Sequence, residues 1–265
     1  MVLAERVRTC VSRHMNDTSL ESKSVVVAGA SRGLGRGIAL AAAAAGSRVV
    51  GLARDGAGLE SLEAEGEGRV VGRVCDVTEP DVAPSFFRAS PPDAVVLVAG
   101  VAPEMRPLSA YDWDAFCKPW FVDVQMTFRW LQAALRANFA GHIIVISSGA
   151  ALHGSPLSGG YAGAKQTQRF LAKYALSEAG KVGSSLRVQT VLPQLNPNTA
   201  LGRAGVEAYA AAAGESVEGF VRKRFGEALT PAVAGAAIVE LLTRPEHRET
   251  PEFMLTGQGL KALGG

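Results

Sequence analysis

Short runs of consecutive apolar residues alternate along the chain with longer segments in which apolar residues recur every three or four positions. The short runs predict strands at Ser24–Ala28, Arg48–Ala53, Arg69–Cys75, Ala94–Ala99, His142–Ser147, Leu186–Leu192 and Glu252–Thr256. Val25-Val26-Val27 and Ile143-Ile144-Val145-Ile146 are apolar on successive positions. Successive strand side chains point to opposite faces, so such runs belong to strands covered on both sides, as in a parallel sheet between helices. The longer segments predict helices at Leu34–Ala45, Gly160–Ala179 and Ala232–Leu242, the last opened by Thr230-Pro231 as N-cap and first-turn proline. Phe121, Val124, Phe128, Leu131 and Leu135, at helical spacing, predict one long helix over Tyr111–Asn138. Strand and helix alternate without a linker, a composition break or a repeat. That predicts an α/β chain with a single doubly wound domain over residues 22–265 and an N-terminal extension over 1–21.

Composition narrows the function classes. The chain has 265 residues, 48% hydrophobic and 20% charged, with a formal net charge of +2, which suits a globular protein. No clustered basic face points to nucleic acid or an acidic membrane. No uncharged apolar run reaches bilayer-spanning length; the longest candidate is Ile38–Ala45. The first fourteen residues carry Arg6, Arg8 and Arg13 but lack the apolar stretch of a secretory signal. A transit peptide, or a loose extension before Met15, are the other readings of that segment. Cys10, Cys75 and Cys117 stand far apart, without metal-ligand spacing. They read as reduced thiols, each a small buried hydrophobe, and a cytoplasmic protein with no metal is the expectation.

Chemistry first appears where the first predicted strand ends, in Ala28-Gly29-Ala30-Ser31-Arg32-Gly33-Leu34-Gly35-Arg36-Gly37. Glycines there permit a tight turn and close approach of a diphosphate to the backbone, while the following helix offers free N–H groups and its positive dipole end. Arg32 lies inside the turn and Arg54 follows the second strand, where a dinucleotide's adenosine ribose would sit. Ala53, just before Arg54, supplies no carboxylate for a ribose 2′-hydroxyl. Arginines suit the 2′-phosphate of NADP, so NADP(H) is preferred over NAD(H); the alternative is that both are solvated surface residues. Asp76-Val77 closes the third strand. Asp76 there is either a contact to the adenine edge or a polar cap where strand meets loop.

Tyr161 and Lys165 are four residues apart at the start of a predicted helix and share one face. An ammonium beside a phenol favours the phenolate, which is what a tyrosine needs to exchange a proton with a carbonyl or alcohol oxygen. Ser148 ends an apolar strand thirteen residues earlier, at the carboxyl edge of the sheet where open α/β folds bind ligands. Its hydroxyl can hydrogen-bond a substrate oxygen, whereas Ser147 should face the other way.

With these residues in place, the chain resembles the short-chain dehydrogenase/reductase family in its common, non-extended form. The resemblance spans roughly residues 22–265. It rests on Gly29, Gly33 and Gly35, on Asp76, on Ser148 with Tyr161 and Lys165, on Pro193, and on the closing Thr256-Gly257-Gln258-Gly259-Leu260 with Gly264-Gly265. It implies a Rossmann-like domain with a seven-stranded parallel sheet. It implies Tyr161 as general acid and base, Ser148 as the group that orients substrate, and Lys165 as the residue that tunes Tyr161 and holds the nicotinamide ribose. Ser31, Leu34, Val77, Ala99, Gly100, Pro193 and Thr199 join the implied cofactor site, with Thr199 on the carboxamide.

The chain also departs from the family. Leu97-Val98-Ala99-Gly100 stands where the family has Asn-Asn-Ala-Gly, so the backbone contact at Ala99-Gly100 can survive while the asparagine contacts cannot. Asp123 aligns with the family's helix asparagine; it can keep the relay role through its carbonyl or weaken the effect of Lys165 on Tyr161. Pro193-Gln194 replaces Pro-Gly, and Thr199 comes one residue late.

The segment Gln194–Phe225 is expected to fold over the site, with Tyr209, Phe220 and Phe225 as its large apolar groups. Arg222-Lys223-Arg224 reads as a solvated helix face, with an anionic carrier as the alternative, and His153 is a candidate pocket residue. Trp120, Phe121, Phe128, Trp130, Phe170 and Tyr174 spread widely around two helices, which suggests burial on two sides. The expected partners are a small carbonyl or alcohol substrate and further copies of the chain, as a homotetramer or dimer. The leading function is an NADP(H)-dependent carbonyl reductase or alcohol dehydrogenase. A dinucleotide-binding regulatory or scaffold protein is the alternative, and a sugar-nucleotide epimerase or dehydratase ranks last.

Overall fold

The computed structural model describes residues 19–88, 90–195, 197, 199–225 and 227–264. Cys10, the fourteen-residue N-terminal segment and Gly265 lie outside them. One sheet organises the described chain. Its strands are β1 (Ser24–Ala28), β2 (Arg48–Ala53), β3 (Val70–Val74), β4 (Ala94–Leu97), β5 (His142–Ile146), β6 (Arg187–Pro193), β7 (Glu252–Thr256) and β8 (Gly259–Ala262). The spatial order is β3-β2-β1-β4-β5-β6-β7-β8.

The first seven strands are parallel, as expected, and β8 adds an antiparallel edge, with Leu255 opposite Leu260. β8 was not foreseen: four half-exposed residues carry no periodic signal, and pairing with β7 through the Gly257-Gln258 turn is what makes them a strand.

Consecutive apolar strand residues divide between two cores. Val25, Val27, Ile144 and Ile146 face one, while Val26, Ala28, Ile143 and Val145 face the other. Helices α1 (Gly33–Ala44), α2 (Gly56–Glu65) and α10 (Pro231–Thr243) cover the first face. Helices α3 (Val82–Phe87), α5 (Gln125–Arg136) and α7 (Tyr161–Lys181) cover the second. Leu20, placed in the expected extension, is 5% exposed and its N–H donates to the Ala45 carbonyl at 2.7 Å. The packed structure therefore begins at least two residues before the expected boundary. No described helix is long and apolar enough to cross a membrane.

The single long helix expected over Tyr111–Asn138 is three pieces. Helix α4 (Trp113–Pro119) runs into a π-helical turn (Trp120–Val124) and then α5. Asp112 caps α4 by accepting the Ala115 N–H at 2.8 Å, which leaves Tyr111 outside the helix. Pro119 has no N–H for the helical ladder, and the widened turn follows it directly. Asp123 lies within that turn, fully buried.

Candidate active site

The sheet reverses its strand order between β1 and β4, and a ligand crevice opens at the carboxyl ends of strands on either side of such a switch. Here a cleft of about 1050 Å³ runs along those ends. Every residue singled out above for catalysis or cofactor binding lines it: Ser148, Tyr161, Lys165 and Asp123, with Gly29, Ser31, Arg32, Gly33, Leu34, Gly35, Arg54, Asp76, Val77, Ala99, Gly100, Pro193 and Thr199.

At the glycine turn, Gly29 has φ +104°, and a Cβ there would meet the Ala99 nitrogen at 2.6 Å. The β1 and β4 ends close together at this point, with the Val98 and Ala99 N–H groups donating to the Ala28 carbonyl at 3.0 and 2.6 Å. The missing asparagines are thus replaced by apolar packing: Leu97 is fully buried, and Val98 lies against Gly35. Helix α1 begins at Gly33 with no side-chain cap on its first N–H groups, so they remain available to a diphosphate.

Beyond the end of β2, Arg54 approaches Asp76 at 3.8 Å and is largely exposed. Asp76 also accepts the Thr78 N–H and hydroxyl at 2.9 and 2.6 Å, and the Thr78 hydroxyl above all holds its carboxyl below the usual range. Cap and cleft-lining residue are therefore combined in Asp76. The Val77 carbonyl accepts the buried Trp130 indole at 3.1 Å.

Ser148, Tyr161 and Lys165 converge where β5 ends and α7 begins. Ser147 also lines the cleft, but its hydroxyl is spent donating to the Lys165 carbonyl at 2.8 Å, and Ser148 is the hydroxyl that hydrogen-bonds Tyr161. Burial raises the Tyr161 phenol pKa; Lys165 pulls it down, Asp123 pushes it up, and Ser148 lowers it. The Lys165 ammonium lies 5.6 Å from the Tyr161 ring centre and donates to the Ile146 carbonyl at 3.2 Å.

Its closest partner is Asp123, 2.9 Å away and also buried. Against burial, which would lower it, the Asp123 carboxylate raises the Lys165 pKa. The second carboxylate oxygen accepts the Val101 N–H at 3.0 Å. A Cβ on Gly100 would sit 2.7 Å from the first, so only glycine admits this carboxylate. The Asp123 carbonyl, meanwhile, accepts from Thr127 Oγ1 at 2.9 Å and Gln168 Nε2 at 3.1 Å. Both of its lone pairs are engaged by side chains, so the group on Lys165 is the carboxylate.

The remaining wall is α6 (Ala150–His153) with the loop after it, and a lid of α8 (Ala200–Ala213) and α9 (Val217–Phe225). Thr199 caps α8 by accepting the Gly202 N–H at 3.1 Å, and its methyl group lies beside Gly33. The Tyr209 hydroxyl meets Ser155 Oγ at 2.7 Å and accepts the Leu157 N–H at 3.2 Å, pinning the lid to the far wall. Gln194 ties the lid's two ends together, donating from Nε2 to the Glu227 carbonyl at 2.9 Å. That contact gives a reason for Gln194 where the family has glycine. Neither latch was legible in sequence, since each depends on partners 33 and 52–54 residues away.

Comparison with known proteins agrees with this geometry. The family model for short chain dehydrogenases matches residues 23–210. The chain belongs to that family. A short-chain dehydrogenase is an oxidoreductase whose fold binds a nicotinamide dinucleotide. The chain is 28% identical over 186 residues to the oxidoreductase Lmo0432 of Listeria monocytogenes, covering 66% of this chain and 75% of that protein. Among solved structures, it matches an NADP-bound 3-oxoacyl-(acyl-carrier-protein) reductase of Agrobacterium tumefaciens with a TM-score of 0.76 at 22% identity, over 92% of this chain and 98% of that one. An NAD⁺-bound xylitol dehydrogenase matches with a TM-score of 0.76 at 20% identity, over 89% and 98%. At that identity the two structures establish the fold alone.

Proposed function

We propose that this short-chain dehydrogenase transfers a hydride between NADP(H) and the carbon of a carbonyl or secondary alcohol, with Tyr161 as general acid and base. The observation that carries the reading is the convergence of Ser148, Tyr161 and Lys165 on the cleft that also holds the uncapped, glycine-rich start of α1. Gly29, Gly33 and Gly35 fit a diphosphate, and Arg32 with Arg54 fits a 2′-phosphate better than a bare ribose. When bound, the nicotinamide supplies or takes up the hydride. Ser148 hydrogen-bonds the substrate oxygen, Tyr161 gives that oxygen a proton or removes one, and the Lys165 charge eases loss of the phenolic proton.

A second reading, a dinucleotide-binding regulatory protein with weak turnover, is favoured by one feature. The Asp123 carboxylate offsets the charge on Lys165 that Tyr161 would use. Exposed Trp113, Phe121, Phe128, Phe170 and Tyr174 support self-association, as a homotetramer or dimer, whereas Trp130 is buried in the core. Light scattering giving a monomer at micromolar concentration would remove that part of the proposal.

Fluorescence titration with NADPH and NADH, followed by a ketone panel with wild type and Tyr161→Phe, tests the central reading. NADPH should bind more tightly than NADH, and Tyr161→Phe should retain binding while turnover falls by roughly 10²–10⁴-fold. Binding without turnover across the panel would favour the regulatory reading, and absence of any dinucleotide binding would end both.

A further inference from the structure

Beyond the dinucleotide half, the cleft has a wall chemistry of its own. Met105, Leu152, Leu195, Tyr209, Phe220 and Met254 line it, and none is charged at neutral pH. The lid residues among them pack together: Phe220 is buried against Leu195 and Tyr209. One cation stands over this group. Arg224 lines the same cleft, its guanidinium carbon 4.1 Å from the centre of the Phe220 ring. That cation–π contact positions the guanidinium at the cleft wall, and an arginine's fork of N–H donors matches a carboxylate or phosphate.

The nearest acid engages it only through one long contact, Arg224 Nη1 donating to Glu215 Oε2 at 3.5 Å, which leaves the guanidinium's other N–H groups free of that carboxylate. Glu215 is 3.5 Å from Arg224 but 3.1 Å from the Lys223 ammonium, and Lys223 is the stronger influence on that carboxyl. The other lysine and arginine side chains lining the cleft belong elsewhere. Arg32 and Arg54 lie at the adenosine end, and Lys165 is paired with Asp123. The carboxylates lining it, Asp55, Asp76 and Asp123, are in those same two places. Among the described lysines and arginines lining the cleft, Arg224 is therefore the one on the substrate half, set among apolar groups with the uncharged polar side chains of Ser155, Ser158 and Gln194 and with His153.

We propose that Arg224 forms an anion subsite, and that the substrate is an oxo or hydroxy compound with an apolar body and a carboxylate or phosphate remote from its reacting carbon. The inference rests on the oxidoreductase reading of this cleft and extends it to substrate class. It also assigns Arg224 a task distinct from its neighbour, since Lys223 is largely exposed and does not line the cleft, although both pair with Glu215.

Calorimetric titration of the NADP⁺-loaded protein with octanoate, octanamide and octyl phosphate tests it without requiring turnover. Wild type should bind octanoate at least about tenfold more tightly than octanamide, a difference of about 1.4 kcal/mol. Arg224→Gln should erase that preference, and Lys223→Gln should keep it. Octyl phosphate binding more tightly than octanoate assigns the subsite to phosphate, and the reverse order to carboxylate. Equal binding of octanoate and octanamide by wild type would overturn the subsite, as would a preference that survives Arg224→Gln or that vanishes equally in Lys223→Gln. If the preference stands and no ketone is turned over, the fault lies with the oxidoreductase reading. If ketones are reduced and the preference is absent, only the subsite fails.

Discussion

The Lys165 ammonium lies 2.9 Å from a buried carboxylate, Asp123, and 5.6 Å from the ring it is expected to tune. A carboxylate that close cancels much of the field a cation projects in a low-dielectric site. With burial also raising the phenol's pKa, Tyr161 stays protonated to higher pH than an unopposed lysine would allow. A protonated tyrosine is ready to donate, which suits reduction near neutrality, while alcohol oxidation must wait for the phenolate at higher pH. Asp123→Asn removes the opposing charge and keeps an acceptor for Lys165. The alkaline limb of kcat/KM for reduction and the acid limb for oxidation should then both move to lower pH. A variant that loses activity at every pH without moving either limb would make Asp123 a packing residue only. Sequence brought Ser148, Tyr161 and Lys165 together because spacing and strand ends are local signals, and the family resemblance added Asp123. It left the role of Asp123 open because whether its carbonyl or its carboxylate meets Lys165 depends on Thr127 and Gln168 occupying the carbonyl.

Elements register the same division between local and distant signals. The strands were legible because both faces of β1, β4 and β5 are covered and their apolar runs are unbroken. The long helix was overextended because apolar residues stay at helical spacing across Pro119 and the π-helical turn, so periodicity alone does not reveal the change of winding. Close packing of α1 on α10 was equally hidden. A Cβ on Gly37 would lie 2.2 Å from the Pro231 carbonyl oxygen, and one on Gly235 would lie 2.5 Å from the Gly37 carbonyl oxygen. Helix α1 begins at the glycine turn proposed to hold the diphosphate, so on that proposal forcing these helices apart should reach the cofactor. Gly37→Ala is expected to cost about 1–3 kcal/mol from overpacking and to weaken NADPH binding together with stability. At roughly 2–4 °C per kcal/mol, the melting temperature should fall by several degrees. Gly180→Ala, in the last turn of α7 with nothing within 4 Å of the new methyl group, should instead raise it slightly. Calorimetric scans of both variants decide the point, and a Gly37→Ala melting temperature equal to wild type would mean the two helices can separate freely.

For the molecule as a whole, acid stability turns on a histidine that the site does not use. His142 opens β5 beside Ala94 of β4, is 2% exposed, and has a pKa lowered from 6.5 to about 3. Burial is the main cause, and the nearby Arg187 and Arg248 guanidinium groups add to it. The sign follows from which state binds the proton. Above pH 6.5 the ring is neutral whether the chain is folded or unfolded, and stability is unaffected. Below pH 6.5 the unfolded chain takes up a proton that the folded one refuses until about pH 3, so stability falls throughout that window. Paired carboxylates cannot mimic this at its upper end. Despite the opposing effect of burial, Ser24 and Lys23 hold Asp93 low, and Arg169 and Lys173 hold Glu252 low. Both remain charged in either state until the pH approaches ordinary carboxylate values, near 4. Between pH 6.5 and 5 the His142 contribution should thus steepen from about 0.7 toward about 1.4 kcal/mol per pH unit, about 1.6 kcal/mol across the interval. In urea titrations at a series of pH values, His142→Leu should flatten this slope while staying within about 1.5 kcal/mol of wild type at pH 8. A wild-type slope that persists unchanged in the variant would assign the acid sensitivity to another group and free His142 of that role.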